Sequence, residues 1–142
     1  MKNVLITGGS RGIGKACVYE FLNNGYRVFL NYNKSSDEAE KIKNETGAVI
    51  VKADVSDSKQ VNDMAEFIHT NYGKIDVIVN NAGISQQKLF TDITENDWDR
   101  MFDVNMKSMY LVTKAFVDDM IYKQSGKIIN ISSMWGVTGG SC

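Results

Sequence analysis

Proline is absent from all 142 residues, histidine occurs once and cysteine twice. Without proline there are no polyproline linkers and no proline-fixed turns, so glycine and asparagine must change the chain's direction. Cys17 and Cys142 cannot build a framework of several disulfides. His69, with no cysteine or carboxylate cluster beside it, makes no metal site. The longest uninterrupted apolar run is four residues, far short of a membrane-crossing helix. An excess of one charge is missing as well: 16 Lys and Arg stand against 17 Asp and Glu. Nothing therefore steers the chain to nucleic acid or an anionic membrane. Met1-Lys2-Asn3 runs directly into Val4-Leu5-Ile6, too short an opening for a secretory leader. A reducing cytoplasm is the expected compartment.

What is present is the composition of a globular domain of ordinary size, 43% hydrophobic and 23% charged. Short apolar runs alternate with helical patterns. Val4-Leu5-Ile6, Val28-Phe29-Leu30, Ala48 to Val51, Ile75 to Val79 and Lys127 to Ile131 read as five buried strands. Between them, Ile13, Ala16, Cys17, Phe21 and Leu22 recur at helical spacing, and Asn24-Gly25 ends that helix. Ser35-x-x-Glu38 is a capping-box pattern opening a polar helix that ends near Gly47. Asp57 caps a helix with the stripe Val61, Met64, Ala65 and Ile68, ending near Tyr72-Gly73. Thr94 caps a short helix bearing Trp98, Met101 and Phe102. A longer stripe follows: Met106, Met109, Tyr110, Thr113, Phe116, Val117 and Met120. Asp118-Asp119 reads as a solvated pair.

Continuous apolar strands separated by helices predict an α/β fold, a doubly wound, Rossmann-like parallel sheet of about five strands in the order 3-2-1-4-5. Residues 1–142 then form one domain.

The first strand-to-helix turn carries the first chemistry. Thr7-Gly8-Gly9-Ser10-Arg11-Gly12-Ile13-Gly14 packs four glycines into seven residues, where backbone can approach a ligand closely. The following helix supplies free N–H groups and a positive dipole end, so a phosphate is the natural guest. Two nucleotide motifs compete. Gly9-x-x-x-x-Gly14-Lys15 matches most of a P-loop, yet Ala16 stands where a Ser or Thr would hold Mg²⁺. A strict G-x-G-x-x-G is absent too.

The spacing T-G-x-x-x-G-x-G fits, followed by Asp54 after strand three, Asn80-Asn81-Ala82-Gly83 after strand four, Asn105, and Ile131-Ser132-Ser133 closing strand five. In these motifs the chain resembles the short-chain dehydrogenase/reductase family over all 142 residues, and its 3-oxoacyl-(acyl carrier protein) reductase branch above all. The resemblance implies that Gly8, Gly12 and Gly14, with Ser10, Arg11 and Ile13, cradle the pyrophosphate of a nicotinamide dinucleotide. It implies that Asp54 and Val55 meet the adenine edge. Asn81, Ala82 and Gly83 would lie beside the adenosine ribose. A helix-capping or turn role is the rival reading for Asp54, and a side-chain-to-backbone turn for Asn81.

NAD selection usually places a carboxylate at the end of strand two. Here that stretch is Leu30-Asn31-Tyr32-Asn33-Lys34, with no carboxylate before Asp37. With Arg11 and Lys34 nearby, and Asn33 beside them, NADP(H) is expected over NAD(H). A solvated loop charge is the rival reading for Lys34.

As catalytic residues the resemblance implies Asn105, supporting a water in a proton relay, and Ser133, hydrogen-bonding the substrate carbonyl ahead of Met134-Trp135-Gly136. Ser132 is then its structural neighbour, and Trp135 either touches substrate or packs the loop. The family's Tyr-x-x-x-Lys does not follow Ser133 within the sequence; it is expected a few residues beyond Cys142. Tyr110-x-x-x-Lys114 has the bare spacing but lies upstream, read as a packed Tyr with a surface Lys. The chain is accordingly expected to be the incomplete, cofactor-binding part of a longer protein, cut in mid-loop at Gly139-Gly140-Ser141-Cys142, with strand five an exposed edge. The implied parent reaction is NADPH-dependent reduction of an acyl-carrier-bound 3-oxoacyl thioester, in a homodimer or homotetramer. A sugar, polyol or small-ketone dehydrogenase, a non-catalytic NADP-binding module or inert fragment, and a degenerate P-loop nucleotidase stay open as alternatives.

Overall fold

The alternating runs fold in strict succession in a computed structural model that describes residues 1–138. Gly139, Gly140, Ser141 and Cys142, and with them the expected mid-loop end, lie outside the described residues. The strands are β1 (Asn3–Ile6), β2 (Arg27–Tyr32), β3 (Val49–Lys52), β4 (Val77–Asn80) and β5 (Lys127–Asn130). The helices are α1 (Gly12–Asn23), α2 (Ser36–Thr46), α3 (Ser58–Tyr72), α4 (Glu95–Phe102) and α5 (Ser108–Lys123). All four strand pairings are parallel and the order is β3-β2-β1-β4-β5, as the sequence predicts.

The sheet is apolar on both faces because helices cover both. Leu5, Phe29 and Ile78 point to one side and meet Met64 and Ile68 of α3 and Val112 and Phe116 of α5. Val4, Ile6, Val28 and Leu30 point to the other and meet Val18 of α1 and Ala39 and Ile42 of α2. This two-sided burial is why β1, β2 and β4 read as unbroken apolar runs rather than alternating ones. β5 ends the sheet among the described residues; Ile128 and Ile129 each keep 40% of their surface in water. No helix among the described residues is long and apolar enough to cross a membrane.

Two of the expected caps form. Asp57 accepts from the backbone N–H groups of Lys59 and Gln60, and Thr94 and Asp97 make a reciprocal capping box at α4. The Ser35–Glu38 box does not: Ser35 precedes α2 but makes no side-chain cap, and the dipole is met instead by Asp37 and Glu38 in the first turn.

The long helical stripe needs correction. Ser108, Val112, Phe116 and Met120 form the buried side of α5, whereas Met106 and Tyr110 are exposed. Met106 lies in a five-residue π-helical turn, Asp103–Lys107, and within α5 the buried residues recur every four positions from Ser108, which puts Tyr110 on the other face. Asp119 is not solvated either. It is buried, its Oδ2 lies 2.8 Å from His69 Nε2, and the same oxygen accepts from the Ile75 N–H at 2.9 Å. Asp118 is the exposed member of the pair.

Asp97 also holds Lys88 Nζ at 2.7 Å, and that contact, with the Thr94 backbone N–H, keeps its carboxyl well below the usual carboxylate range. A carboxyl with a lowered folded-state pKa stabilises above the unfolded value of about 4 and loses that contribution as pH falls through the folded one. Asp97→Asn should therefore flatten the acid limb of a stability-versus-pH curve measured by urea unfolding between pH 5 and 2. An unchanged limb would show that Asp97 is not coupled to folding.

Candidate functional site

The carboxyl ends of β1, β2, β3 and β4 open onto one cleft of about 570 Å³. Its floor is the turn from β1 into α1. Gly8 has φ +62° and Gly12 φ +55°, the left-handed region that side chains rarely adopt. Gly14 is required for a different reason: a Cβ there would run into the Gly8 carbonyl and Asn81 Nδ2. Among the described residues, the backbone N–H groups of Ser10, Arg11, Gly12, Ile13 and Gly14 find no protein acceptor. Nor does α1 have a side-chain cap or an acidic residue in its first turn. A helix N-terminus left with free donors, in a glycine turn with space above it, has the chemistry of an anion site.

The turn is braced from β4. Thr7 Oγ1 accepts from the N–H groups of Asn81 and Ala82, both at 3.0 Å. Asn81 Nδ2 donates back to the Thr7 and Gly8 carbonyls, each at 3.1 Å. The turn reading of Asn81 is thus realised, with the residue still lining the cleft. Asp54 is similar. Its Oδ1 accepts from the Ser56 N–H at 3.0 Å and the Ser56 hydroxyl at 2.6 Å, and its own N–H donates to Gln60 Oε1. Oδ2 has no partner among the described residues, and Asp54 and Val55 both line the cleft.

The structure gathers Gly8, Ser10, Arg11, Gly12, Asn33, Lys34, Asp54, Val55, Asn81, Ala82 and Gly83 around one cavity. Ile13 and Gly14 are not lining residues; Ile13 is exposed on the first turn of α1 and Gly14 is buried beneath the glycine turn. The charged residues on the lining are Arg11, Lys34 and Arg100 against a single carboxylate, Asp54.

Asn105 lies beyond Gly83. It sits inside the π-helical turn. Its Oδ1 accepts from the Ile84 N–H at 2.8 Å and its Nδ2 donates to the Ile84 carbonyl at 2.9 Å. The side chain thereby clamps the loop after β4. Ser133 stands past the end of β5 and is not on the cleft lining. Its Oγ accepts from the Trp135 N–H at 3.2 Å, opening a short 3₁₀ turn, Met134–Gly136. The hydroxyl hydrogen stays available to donate. Trp135 is exposed rather than packed into the loop. Asn80 Nδ2 joins β4 to β5 through Asn130 Oδ1 at 2.9 Å, so the strands bearing Asn81 and Ser133 are held side by side.

Tyr110 and Lys114 do pair, with Nζ 3.3 Å from the phenol oxygen. Tyr110 is 58% exposed, not packed as expected, and neither residue lines the cleft.

Sequence reasoning missed Asn31, Arg100 and Val104, which also line the cavity. A signal existed for each. Asn31 is a lone amide at the end of an apolar strand, and Arg100 stands four residues before Val104, the immediate neighbour of Asn105.

Comparison with known proteins agrees with this geometry. The family profile described as short chain dehydrogenase matches residues 2–142. The chain is 35% identical over 143 residues to the 3-oxoacyl-[acyl-carrier-protein] reductase FabG of Staphylococcus aureus, covering 97% of this chain and 58% of that protein. It is 34% identical to the protein of the same name from Staphylococcus epidermidis, covering 97% and 59%. It is 38% identical over 140 residues to the 3-oxoacyl-[acyl-carrier-protein] reductase of Synechocystis, covering 95% and 57%. The chain thus spans somewhat over half the length of these relatives. A five-stranded parallel sheet with a glycine-rich, anion-ready turn at its topological switch point, matched to one family over nearly every residue, establishes that the chain belongs to the short chain dehydrogenase family.

Proposed function

We propose that residues 1–142 carry the cofactor site of an NADPH-dependent oxidoreductase that reduces a 3-oxoacyl thioester to a 3-hydroxyacyl thioester. The observation carrying this reading is the run of free N–H donors from Ser10 to Gly14 at the floor of a cleft lined by Arg11, Lys34 and Asp54. A dinucleotide fits that pattern: donors for a pyrophosphate, and Asp54 and Val55 for the adenine end. Bound there, the nicotinamide supplies the hydride.

The chain's own residues have separable tasks. Gly8 and Gly12 shape the turn, and Gly14 lets α1 approach it closely. Arg11 and Lys34 favour a 2′-phosphate, since no carboxylate stands at the end of β2 to repel it. Ser133, whose Oγ already accepts from Trp135, keeps its O–H as the donor that a substrate carbonyl needs. Asn105 fixes the loop after β4 with both of its N–H groups engaged, on the Ile84 carbonyl and on Met101 Sδ, and the second lone pair of its Oδ1 suits a bound water. The proton donor is assigned to no residue among 1–142. The P-loop alternative is weaker, because Ala16 offers Mg²⁺ no hydroxyl.

Cytoplasmic residence, an acyl-carrier-bound substrate and a homo-oligomeric parent belong to the same proposal. They are supported by the names of the relatives.

The test is NADPH oxidation by the protein as its gene produces it, offered an acetoacetyl thioester or a panel of sugars, polyols and small ketones. Turnover of the thioester alone supports the reading, and preference for a polyol replaces it with the rival dehydrogenase. Ser133→Ala should lower kcat by roughly 10²-fold or more, in line with loss of one polarising donor. The variant Lys34→Glu, which leaves the glycine turn untouched, should weaken NADPH binding by roughly tenfold or more while changing NADH binding little.

A further inference from the structure

We infer that Asn31 is a positioning residue that sets the distance between two walls of the cleft, and so governs affinity for the whole dinucleotide. The inference rests on the cofactor reading above. Asn31 is 2% exposed, an amide buried at the end of β2. Its Nδ2 donates to the Ala53 carbonyl at 3.0 Å and to the Val51 carbonyl at 3.3 Å. Ala53 immediately precedes Asp54 and Val55, and its carbonyl has no other partner among the described residues. On the other side, Asn31 Oδ1 accepts from the Gly8 N–H at 3.4 Å, and the Asn31 carbonyl accepts from the Gly9 N–H at 3.0 Å.

One side chain therefore ties the glycine turn to the wall carrying Asp54. Burial of an amide is costly unless its donors and acceptors are met, and here they are met by the two elements a dinucleotide must span. Asn31 acts through these neighbours, not as a selector of the 2′-substituent. A ligand reaching only one wall depends less on their separation than a ligand reaching both.

The experiment measures NADPH and adenosine binding to the full chain by titration, for the native protein, Asn31→Ala, and Asp119→Asn; adenosine, which has no phosphate for the glycine turn, reaches only the wall carrying Asp54. Asp119 lies in a buried network on the α3–α5 side and is absent from the cleft lining, so it reports general loosening. The expected result is a loss of roughly tenfold or more in NADPH affinity for Asn31→Ala, with less than about threefold for adenosine, and unchanged affinities for Asp119→Asn. Asn31→Ser, which retains a small donor toward β3, should restore part of the loss, and serves in its own right if Asn31→Ala does not fold. Native affinity in the folded variant, or equal losses for both ligands, overturns the positioning role and leaves the cofactor reading standing. If the native chain binds neither NADPH nor adenosine, the cofactor reading itself falls and this inference with it.

Discussion

Gly14→Ala should abolish measurable NADPH binding and destabilise the fold, although alanine is the better helix former. In an exposed helix interior the change would gain up to about 1 kcal/mol. At Gly14 the added methyl meets the Gly8 carbonyl and Asn81 Nδ2, the two groups that hydrogen-bond to each other at 3.1 Å to brace the turn. Backbone cannot yield as a flexible side chain does, so either α1 retreats from the sheet or the brace breaks. Overpacking of this kind costs about 1–3 kcal/mol, which exceeds the helical gain. Either displacement moves the free N–H groups of Ser10 to Gly14 away from where a phosphate needs them, and the expected loss of affinity is roughly 100-fold or more. Urea unfolding and NADPH titration of the same variant measure both effects. Gly12→Asn is the informative contrast. A Cβ at Gly12 meets nothing within 4 Å, and asparagine tolerates a φ of +55°, so its stability cost should stay below about 1 kcal/mol.

Asp119→Ala should be strongly destabilising although it lies outside the cleft. Its carboxylate is one of seven buried polar or charged side chains among the described residues, and one oxygen serves both His69 Nε2 and the Ile75 N–H. Removal leaves the Ile75 N–H, just ahead of β4, without its partner in a fully buried position. It also separates α5 from the end of α3. A lost bond to a charged group with an orphaned buried donor amounts to about 2–3 kcal/mol. Asp118→Ala, at the exposed neighbouring position, should stay within about 0.5 kcal/mol. Equal effects from the two variants would show that the buried network is not what holds these elements together.

The contrast between these two aspartates shows where sequence reasoning stops. Doublet charge looks like surface, and only the phase of α5 decides which member turns inward. That phase is set by Ser108, Val112, Phe116 and Met120, whose face begins with a polar residue and leaves Tyr110 exposed, while Met106 lies in the π-helical turn at Asp103–Lys107, which no 3.6-residue period anticipates. The sheet was legible because burial on both faces makes parallel strands uniformly apolar, so neither register nor face had to be guessed. The glycine turn was legible because free backbone donors need glycine spacing, and few other demands produce it. The local Ser35–Glu38 pattern failed because a cap is only one of several ways to satisfy a helix N-terminus, and Asp37 and Glu38 supply another. Asn31 passed unnoticed because its importance comes from Gly8 and Ala53, 23 and 22 positions away, which no local pattern brings together.

Binding of nicotinamide dinucleotides by this chain itself is the central claim. The most direct measurement is a titration of residues 1–142 with NADPH, followed by nicotinamide fluorescence, beside parallel titrations with NADH and with ATP and Mg²⁺. Saturable binding of NADPH, at least about tenfold tighter than NADH and with no Mg²⁺-dependent ATP binding, is the predicted result. ATP binding that requires Mg²⁺, with no response to NADPH, would contradict the account and assign the glycine turn to a nucleoside triphosphate instead.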